Sequence, residues 1–297
     1  MPERRGRLVV VGTPIGNLED FSPRARRALE QADAIYCEDT RVTAKLAARF
    51  SLAAPRVSAP EPRERARSTE LLARLARGET VALVSDAGMP GISDPGRHLV
   101  AAAADAGYAV EVVPGPSAPA AALAVSGLPG VPHVFLGFLP AREGERRRAL
   151  EALRSRSETL VWFEAPHRIA ESLEDAARIL GPRRAAVSRE LTKAHEEILR
   201  GSLSDLARRV REAGIARGEI TVVCEGAADD EAAPMSGEAL DDAIRARLAQ
   251  GVEKRQIARE ISARAGLPAR EIYARAVALD AGEGDRPPRG RRGPRRP

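Results

Sequence analysis

The chain has 297 residues, with 47 Lys plus Arg against 42 Asp plus Glu and a net charge of +5. At roughly 150 residues per domain, that length holds two domains with room for a small third unit. Only Lys45, Lys193 and Lys254 are lysines and Ala is very abundant, a compositional bias that removes arginine content as a functional signal. Cys37 and Cys224 both sit in apolar, strand-like runs, which points to buried thiols rather than a disulfide or metal site, and the four histidines lack ligand spacing. No apolar stretch approaches the roughly 18 to 20 residues of a membrane span, and Leu8 to Val11 is too short for a signal-peptide core. The expectation is a soluble cytoplasmic protein without a metal.

In chain order, Arg7 to Val11 reads as a buried strand, followed by the turn-rich Gly12 to Asn17. Ser22-Pro23 starts a helix through Gln31, with Pro at the first helical position. Ala34 to Cys37 is a second strand and Thr43 to Phe50 a helix. Thr69 to Arg77 places Leu71, Leu72 and Leu75 on one helical face and stops at Gly78. Strand Thr80 to Ser85, helix Gly96 to Ala106, strand Ala109 to Val113 and helix Ser117 to Val125 follow. Strands separated by helical patterns of this length predict an α/β domain with a mainly parallel sheet.

A second set continues with strand Val134 to Phe138, helix Arg146 to Arg154, strand Thr159 to Phe163 and helix Ile169 to Leu180. Strand Ala185 to Ser188, helix Leu203 to Val210 and strand Glu219 to Cys224 complete it. The expected organisation is an N-terminal α/β subdomain over 1–115, a second over 116–228, and a linker over 229–236. Three short helices over 237–280 (Gly237 to Gln250, Lys254 to Ala265, Pro268 to Leu279) come next, with a pattern shared by helix-turn-helix units and plain bundles. The segment 281–297 has six arginines against Glu283 and Asp285 and no apolar residue after Ala281, the composition of a disordered tail. It carries +4 of the net charge, which suits either a solubilising end or a phosphate-binding arm.

Four Gly/Pro-rich turns lie directly after expected strands: Gly12 to Gly16, Asp86 to Gly91, Asp94 to Gly96 and Pro114 to Ala118. In open α/β sheets, ligands bind beyond the carboxyl ends of strands, and glycine there lets backbone approach a ligand closely. No G-x-x-x-x-G-K-[ST] or G-x-G-x-x-G occurs at these turns, so a triphosphate cradle fits poorly and a nucleoside-bearing cofactor held by backbone fits better. Three charged clusters also fall at strand ends: Glu38-Asp39-Thr40-Arg41, Glu164 to Arg168, and Arg189 to Lys193 followed by Glu196-Glu197. Singly each reads as a solvated ion pair; jointly they would line one polar cleft rim.

The runs GTPIGNLEDFSPRARRALEQADAIYCEDTR, SDAGMPGISDPG, PGPSA, FLGFLP, FEAPHR and RELTKAHEE, in this order, are similar to the ribosomal RNA small-subunit methyltransferase I family. These are cytidine 2′-O-methyltransferases of the tetrapyrrole-methylase superfamily, and the resemblance covers about Leu8 to Gly226. It implies two α/β subdomains with S-adenosylmethionine in the cleft between them, a small C-terminal helical unit, and a homodimer acting on a decoding-centre cytidine of 16S rRNA in the 30S subunit. Carried over motif by motif, the cofactor contacts fall on Thr13 and Pro14, on Asp86, Ala87, Gly88 and Gly91, on Ser117 and Ala118, and near Phe163 and Ile220.

A ribose hydroxyl is a weak nucleophile unless a base or positive charge assists loss of its proton. Glu38, Asp39 and Glu190 are candidate bases, Lys193 a candidate for stabilising a developing alkoxide, and Arg41, Arg168 and Arg189 candidate phosphate clamps. These roles stay open at the level of sequence, and the same residues would also serve simply to shape the cleft. Two other functions are compatible with the pattern: methylation of a tetrapyrrole precursor, and non-catalytic nucleic-acid binding through the helical unit.

Overall fold

The computed structural model describes residues 6–214, 217–228, 237–265 and 267–284. Within them, one compact unit takes in 6–154 and 158–226, and a second takes in 155–157 and the chain from 227 onward. The expected linker 229–236 and the tail beyond Gly284 lie outside the described residues.

The first unit holds two five-stranded sheets. Sheet one contains β1 (Arg7–Val11), β2 (Ala34–Cys37), β3 (Arg56–Ser58), β4 (Thr80–Leu83) and β5 (Ala109–Val113), in the order β3-β2-β4-β1-β5. All its pairings are parallel. The parallel arrangement requires crossover helices on both faces, which explains why β1 and β4 read as continuous apolar runs. Val9, Val11 and Ala82 bury one face against α1 (Pro23–Glu30) and α2 (Thr40–Phe50). Leu8, Val10, Val81 and Leu83 bury the other against α3 (Glu61–Ala76) and α4 (Arg97–Asp105). Helix starts follow side-chain chemistry: Ser22 accepts from the Ala25 N–H at 3.0 Å, and Asp39 from the Arg41 N–H at 2.8 Å.

After α5 (Ala118–Ser126), sheet two is built from β6 (His133–Phe138), β7 (Thr159–Glu164), β8 (Arg184–Arg189), β9 (Glu197–Ser202) and β10 (Ile220–Cys224), in the order β6-β7-β10-β8-β9. Here only β6 and β7 are parallel; β10 runs antiparallel to both β7 and β8, and β8 antiparallel to β9. The expectation of a mainly parallel sheet therefore holds for sheet one and not for sheet two. Trp162, Val187, Val222 and their neighbours face α6 (Glu143–Glu151), α7 (Ile169–Leu180) and α8 (Leu203–Ala213). Val161 and Val223 on the opposite face meet Ala122 of α5 together with Ile15 of the first loop, so this small cluster joins the two halves.

Two strands escape the sequence pattern. β3 is three residues long and begins on an exposed Arg, and β9 is an edge strand whose first residue is Glu197. Helices α2 and α3 begin at Thr40 and Glu61, ahead of the expected Thr43 and Thr69. The second unit contains α9 (Gly237–Ala249), α10 (Lys254–Ala265) and α11 (Ala269–Gly284), packed around Leu240, Ile244, Ile257, Ile261 and Ile272. The helix α11 runs five residues past the expected end at Leu279, into the segment expected to lack structure.

Candidate active site

The carboxyl ends of β1, β4, β5, β6 and β7 converge on a cavity of about 370 Å³. Because β10 is antiparallel to β7, its amino end, Gly218 to Thr221, arrives at the same edge and supplies another wall. Apolar walls come from Ile15, Met89, Ile92, Phe138, Phe163 and Ile220, and the polar side chains on the lining are few. Phe163 meets Phe138 at 5.4 Å and Phe135 at 5.0 Å between ring centroids, so the aromatic wall is itself packed. A cavity of this size, mostly apolar with a few placed polar groups, has the character of a small-molecule site.

Of the sequence-assigned cofactor contacts, Ala87, Gly88, Ser117, Ala118, Phe163 and Ile220 all line this cavity. Thr13, Pro14, Asp86 and Gly91 do not; three of these four make contacts that brace the lining. The Thr13 N–H donates to the Gly88 carbonyl at 2.8 Å and the Gly88 N–H returns to the Thr13 carbonyl at 3.1 Å, clamping the first loop to the second. The buried Thr13 hydroxyl also lies 3.3 Å from the Ser85 carbonyl. The Gly91 N–H donates to the Pro95 carbonyl at 3.1 Å, closing the turn that carries Ile92, Ser93 and Asp94. A Cβ on Gly12 would stand 2.6 Å from the Gly115 Cα, so only two glycines allow these turns to cross at that distance.

Four carboxylates gather at the ends of β2 and β4. Asp86 accepts from the Asp39 N–H at 3.1 Å; burial raises its pKa, that N–H opposes the rise, and the Asp39 carboxylate charge adds to it. Burial, then Asp86 and Asp39, raises Glu38. Asp39 goes the other way: a side-chain hydrogen bond from Arg41 holds it down to about 2. Asp94 lines the cavity, and burial together with Glu38 and Asp86 pushes it up to about 6.

Glu190 and Lys193 form a second group. Lys193 Nζ contacts Glu190 at 2.9 Å and Glu219 at 3.1 Å, and Glu190 also accepts from the Glu219 N–H at 2.9 Å. The Lys193 hydrogen bond and then the Glu219 N–H lower Glu190. Burial opposes the Lys193 charge, but its bonds to Glu190 and Glu219 outweigh it and raise that pKa. Glu219 lines the cavity, so this network stands behind one wall. The Asn17 N–H donates to the Thr192 hydroxyl at 3.1 Å, tying the first loop to the same segment.

The three arginines separate. Arg41 is exposed and paired with Asp39, and Arg189 is paired with Glu197 at 3.0 Å. Arg168 is mostly buried, its guanidinium bound to the fully buried Glu164 carboxylate and to the Leu139 carbonyl at 3.0 Å. Arg168, a candidate phosphate clamp in the sequence, ties the chain after β6 to the end of β7 through these contacts. The sequence reading also passed over Met89, Ile92, Asp94, Phe138 and Glu219 as lining residues. Asp94 and Phe138 lie inside quoted motifs, which was the available signal; nothing in the sequence marked Glu219.

The model of the Tetrapyrrole (Corrin/Porphyrin) Methylases matches residues 7–207. The chain belongs to the tetrapyrrole methylase family. Among tetrapyrrole methylases it is 42% identical over 272 residues to the ribosomal RNA small subunit methyltransferase I of Halalkalibacterium halodurans, spanning 91% of this chain and 94% of that one. The Thermotoga maritima protein of the same name is 45% identical over 221 residues, 74% of this chain and 99% of its own. The solved methyltransferase CobJ superposes with a TM-score of 0.58 at 23% identity, covering 75% of this chain and 95% of that one, a likeness of fold. The expected pair of α/β halves is that of the tetrapyrrole methylases, and in this chain the expected helices follow it. Among the described residues no helix is long and apolar enough to cross a membrane, and no cluster of His, Cys, Asp or Glu is placed to hold a metal ion.

Proposed function

We propose that this tetrapyrrole methylase transfers the methyl group of S-adenosylmethionine to the 2′-hydroxyl of a cytidine in the 16S rRNA decoding centre, acting on the 30S subunit as a cytoplasmic homodimer. The observation that carries the reading is the cavity at the strand ends, on which six sequence-assigned contacts converge. The relatives' shared name supports rRNA as the acceptor over a tetrapyrrole precursor. A relative of that name is matched over 99% of its length by only 221 residues of this chain, which favours the α/β unit as the bearer of the activity.

The residues present suit this cofactor. The crossing of Gly12 and Gly115 and the Thr13–Gly88 clamp lock the first, second and third turns together, so that Gly88, Ser117 and Ala118 reach the cavity from a fixed frame. The apolar and aromatic walls suit an adenine ring, and the Ser117 hydroxyl suits a polar group of a nucleoside or amino acid moiety. Ala87, Gly88, Ser117, Ala118, Phe163 and Ile220 would hold the cofactor, with Thr13, Asp86 and Gly91 fixing the turns that carry the lining. When bound, it supplies a methyl group on a positively charged sulfur, already activated for displacement. The chain's own task is then mainly to position the acceptor and exclude water. Exposed Arg41 and partly exposed Arg189 would contact phosphates of the RNA backbone, and Lys193, with Glu190 and Glu219, sets the charge of one wall.

Calorimetric titration of the full chain with S-adenosylmethionine tests the cofactor assignment. Saturable binding of one molecule per chain is expected, and no binding at millimolar cofactor overturns the reading.

A further inference from the structure

Three side-chain carboxylates belong to residues lining the cavity: Asp94, Glu164 and Glu219. Glu164 is fully buried against Arg168, and its Oε1 also accepts the Ala165 N–H at 2.8 Å. Glu219 is largely exposed and paired with Lys193 at 3.1 Å. Asp94 has no cationic partner among the described residues. The charges that act on it are the carboxylates of Glu38 and Asp86, the Ser85 hydroxyl hydrogen-bonds to it, and Arg41 is engaged by Asp39. The candidate bases of the sequence, Glu38, Asp39 and Glu190, do not line the cavity.

Asp94 is also held rigidly. The Gly91–Pro95 hydrogen bond closes its turn, and Ser93 before it takes φ +62°, a conformation that a non-glycine residue keeps only when its surroundings impose it. Two residues later, the amino end of α4 is fixed by Glu64 of α3. Oε1 of this buried carboxylate accepts the N–H groups of Gly96, His98 and Leu99 at 3.1, 2.6 and 3.0 Å. A carboxylate on so constrained a turn has the preorganisation that a catalytic group requires.

We propose that Asp94 is the catalytic base of the methyl transfer. The inference rests on the function proposed above. The acceptor oxygen forms its bond to the methyl carbon as the carbon–sulfur bond breaks, with that electron pair staying on sulfur. The hydroxyl proton passes to an Asp94 carboxylate oxygen and from there to water. A base works best when its proton affinity lies near the working pH, and the elevated pKa of Asp94 fits that requirement, whereas Asp39 and Glu190 are held low by Arg41 and Lys193.

The full-length wild type and Asp94→Asn are compared by three measurements: titration with S-adenosylmethionine, single-turnover methyl transfer to 30S subunits against pH, and carbon-13 carboxyl titration of the protein without ligands. Loss of a general base predicts transfer slowed about 10²- to 10⁴-fold in the Asn variant, with cofactor affinity within about threefold of wild type. The wild-type rate falls about tenfold per pH unit below the Asp94 pKa, and the variant loses that acidic limb. The Asp94 carboxyl titrates near 6 in the wild type. Affinity that falls in parallel with rate makes Asp94 a cofactor contact and overturns the proposal, as does a variant within tenfold of wild type. Wild-type transfer with an equally active variant sinks the base alone. Absence of wild-type transfer sinks the proposed function and the base together.

Discussion

The contact on which the Asp94 turn most depends is made from another helix. Helix α4 has Gly96 at its start and no side-chain cap of its own, so three of its first N–H groups are satisfied only by Glu64, which is 2% exposed. Glu64→Ala removes an acceptor from three N–H groups at once. Hydrogen bonds to a charged group contribute about 1.5 to 3 kcal/mol each and are not additive, so roughly 3 to 5 kcal/mol is expected for the set. Glu64→Gln keeps an acceptor oxygen and loses the charge at the positive end of the helix, worth about 1 to 2 kcal/mol in a buried setting. At about 2 to 4 °C per kcal/mol for a unit of this size, the Ala variant should melt roughly 6 to 20 °C lower. The chain has one tryptophan, Trp162, fully buried in the α/β unit, so its fluorescence in urea and on heating reports this unit without the C-terminal helices. An Ala variant within about 1 kcal/mol of wild type would refute the assignment of Glu64 as the cap of α4.

Asp94→Asn should stabilise the protein. The folded Asp94 carboxyl keeps its proton up to about pH 6, against about 4 in an unfolded chain, so the stability it contributes at low pH is lost as pH rises through that window. The Asn variant is expected to be roughly 1 to 3 kcal/mol more stable at pH 8 and equal to wild type near pH 4, measured by urea unfolding; the reverse trend contradicts the raised pKa. Arg168→Ala strands the buried Glu164 carboxylate and should cost about 3 to 5 kcal/mol, while replacing both residues by apolar ones of similar volume should cost far less. A double-mutant cycle with no coupling between them would contradict the pairing. Arg41→Ala should lower the salt dependence of RNA binding by about one phosphate contact and leave S-adenosylmethionine affinity unchanged; an unaltered salt slope removes Arg41 from the RNA face.

Sheet one was legible because β1 and β4 are buried on both faces and write that burial as unbroken Val, Leu and Ala. The direction of β10 was not legible. Its five residues, four of them apolar, are buried on both faces whichever way they run, and β9, the strand whose presence reverses the later connections, hides behind Glu197 and Arg200. Strand-end turns marked the cavity because Gly and Pro announce close backbone approach. At the amino end of β10 only Ile220 was reached, through the resemblance; Gly218, Glu219 and Thr221 join the lining because of the strand's direction. Glu64 and Gly96 are 32 residues apart and share no motif; only packing of α3 against α4 brings the cap to the helix. The FEAPHR motif is legible, and so is an ion pair within it, but the burial of Arg168 against Glu164 is not, because a sequence shows a charge without its burial. Asp94 was quoted as part of a turn, and its chemistry emerged only when Glu38 and Asp86 were found around it.

The measurement that bears most directly on the function is transfer of an isotope-labelled methyl group from S-adenosylmethionine by the full chain to 30S subunits, followed by digestion of the RNA to nucleosides. Label recovered as 2′-O-methylcytidine from the decoding region of 16S rRNA is the predicted result. Label on a base, on a tetrapyrrole precursor offered in parallel, or on nothing would contradict it.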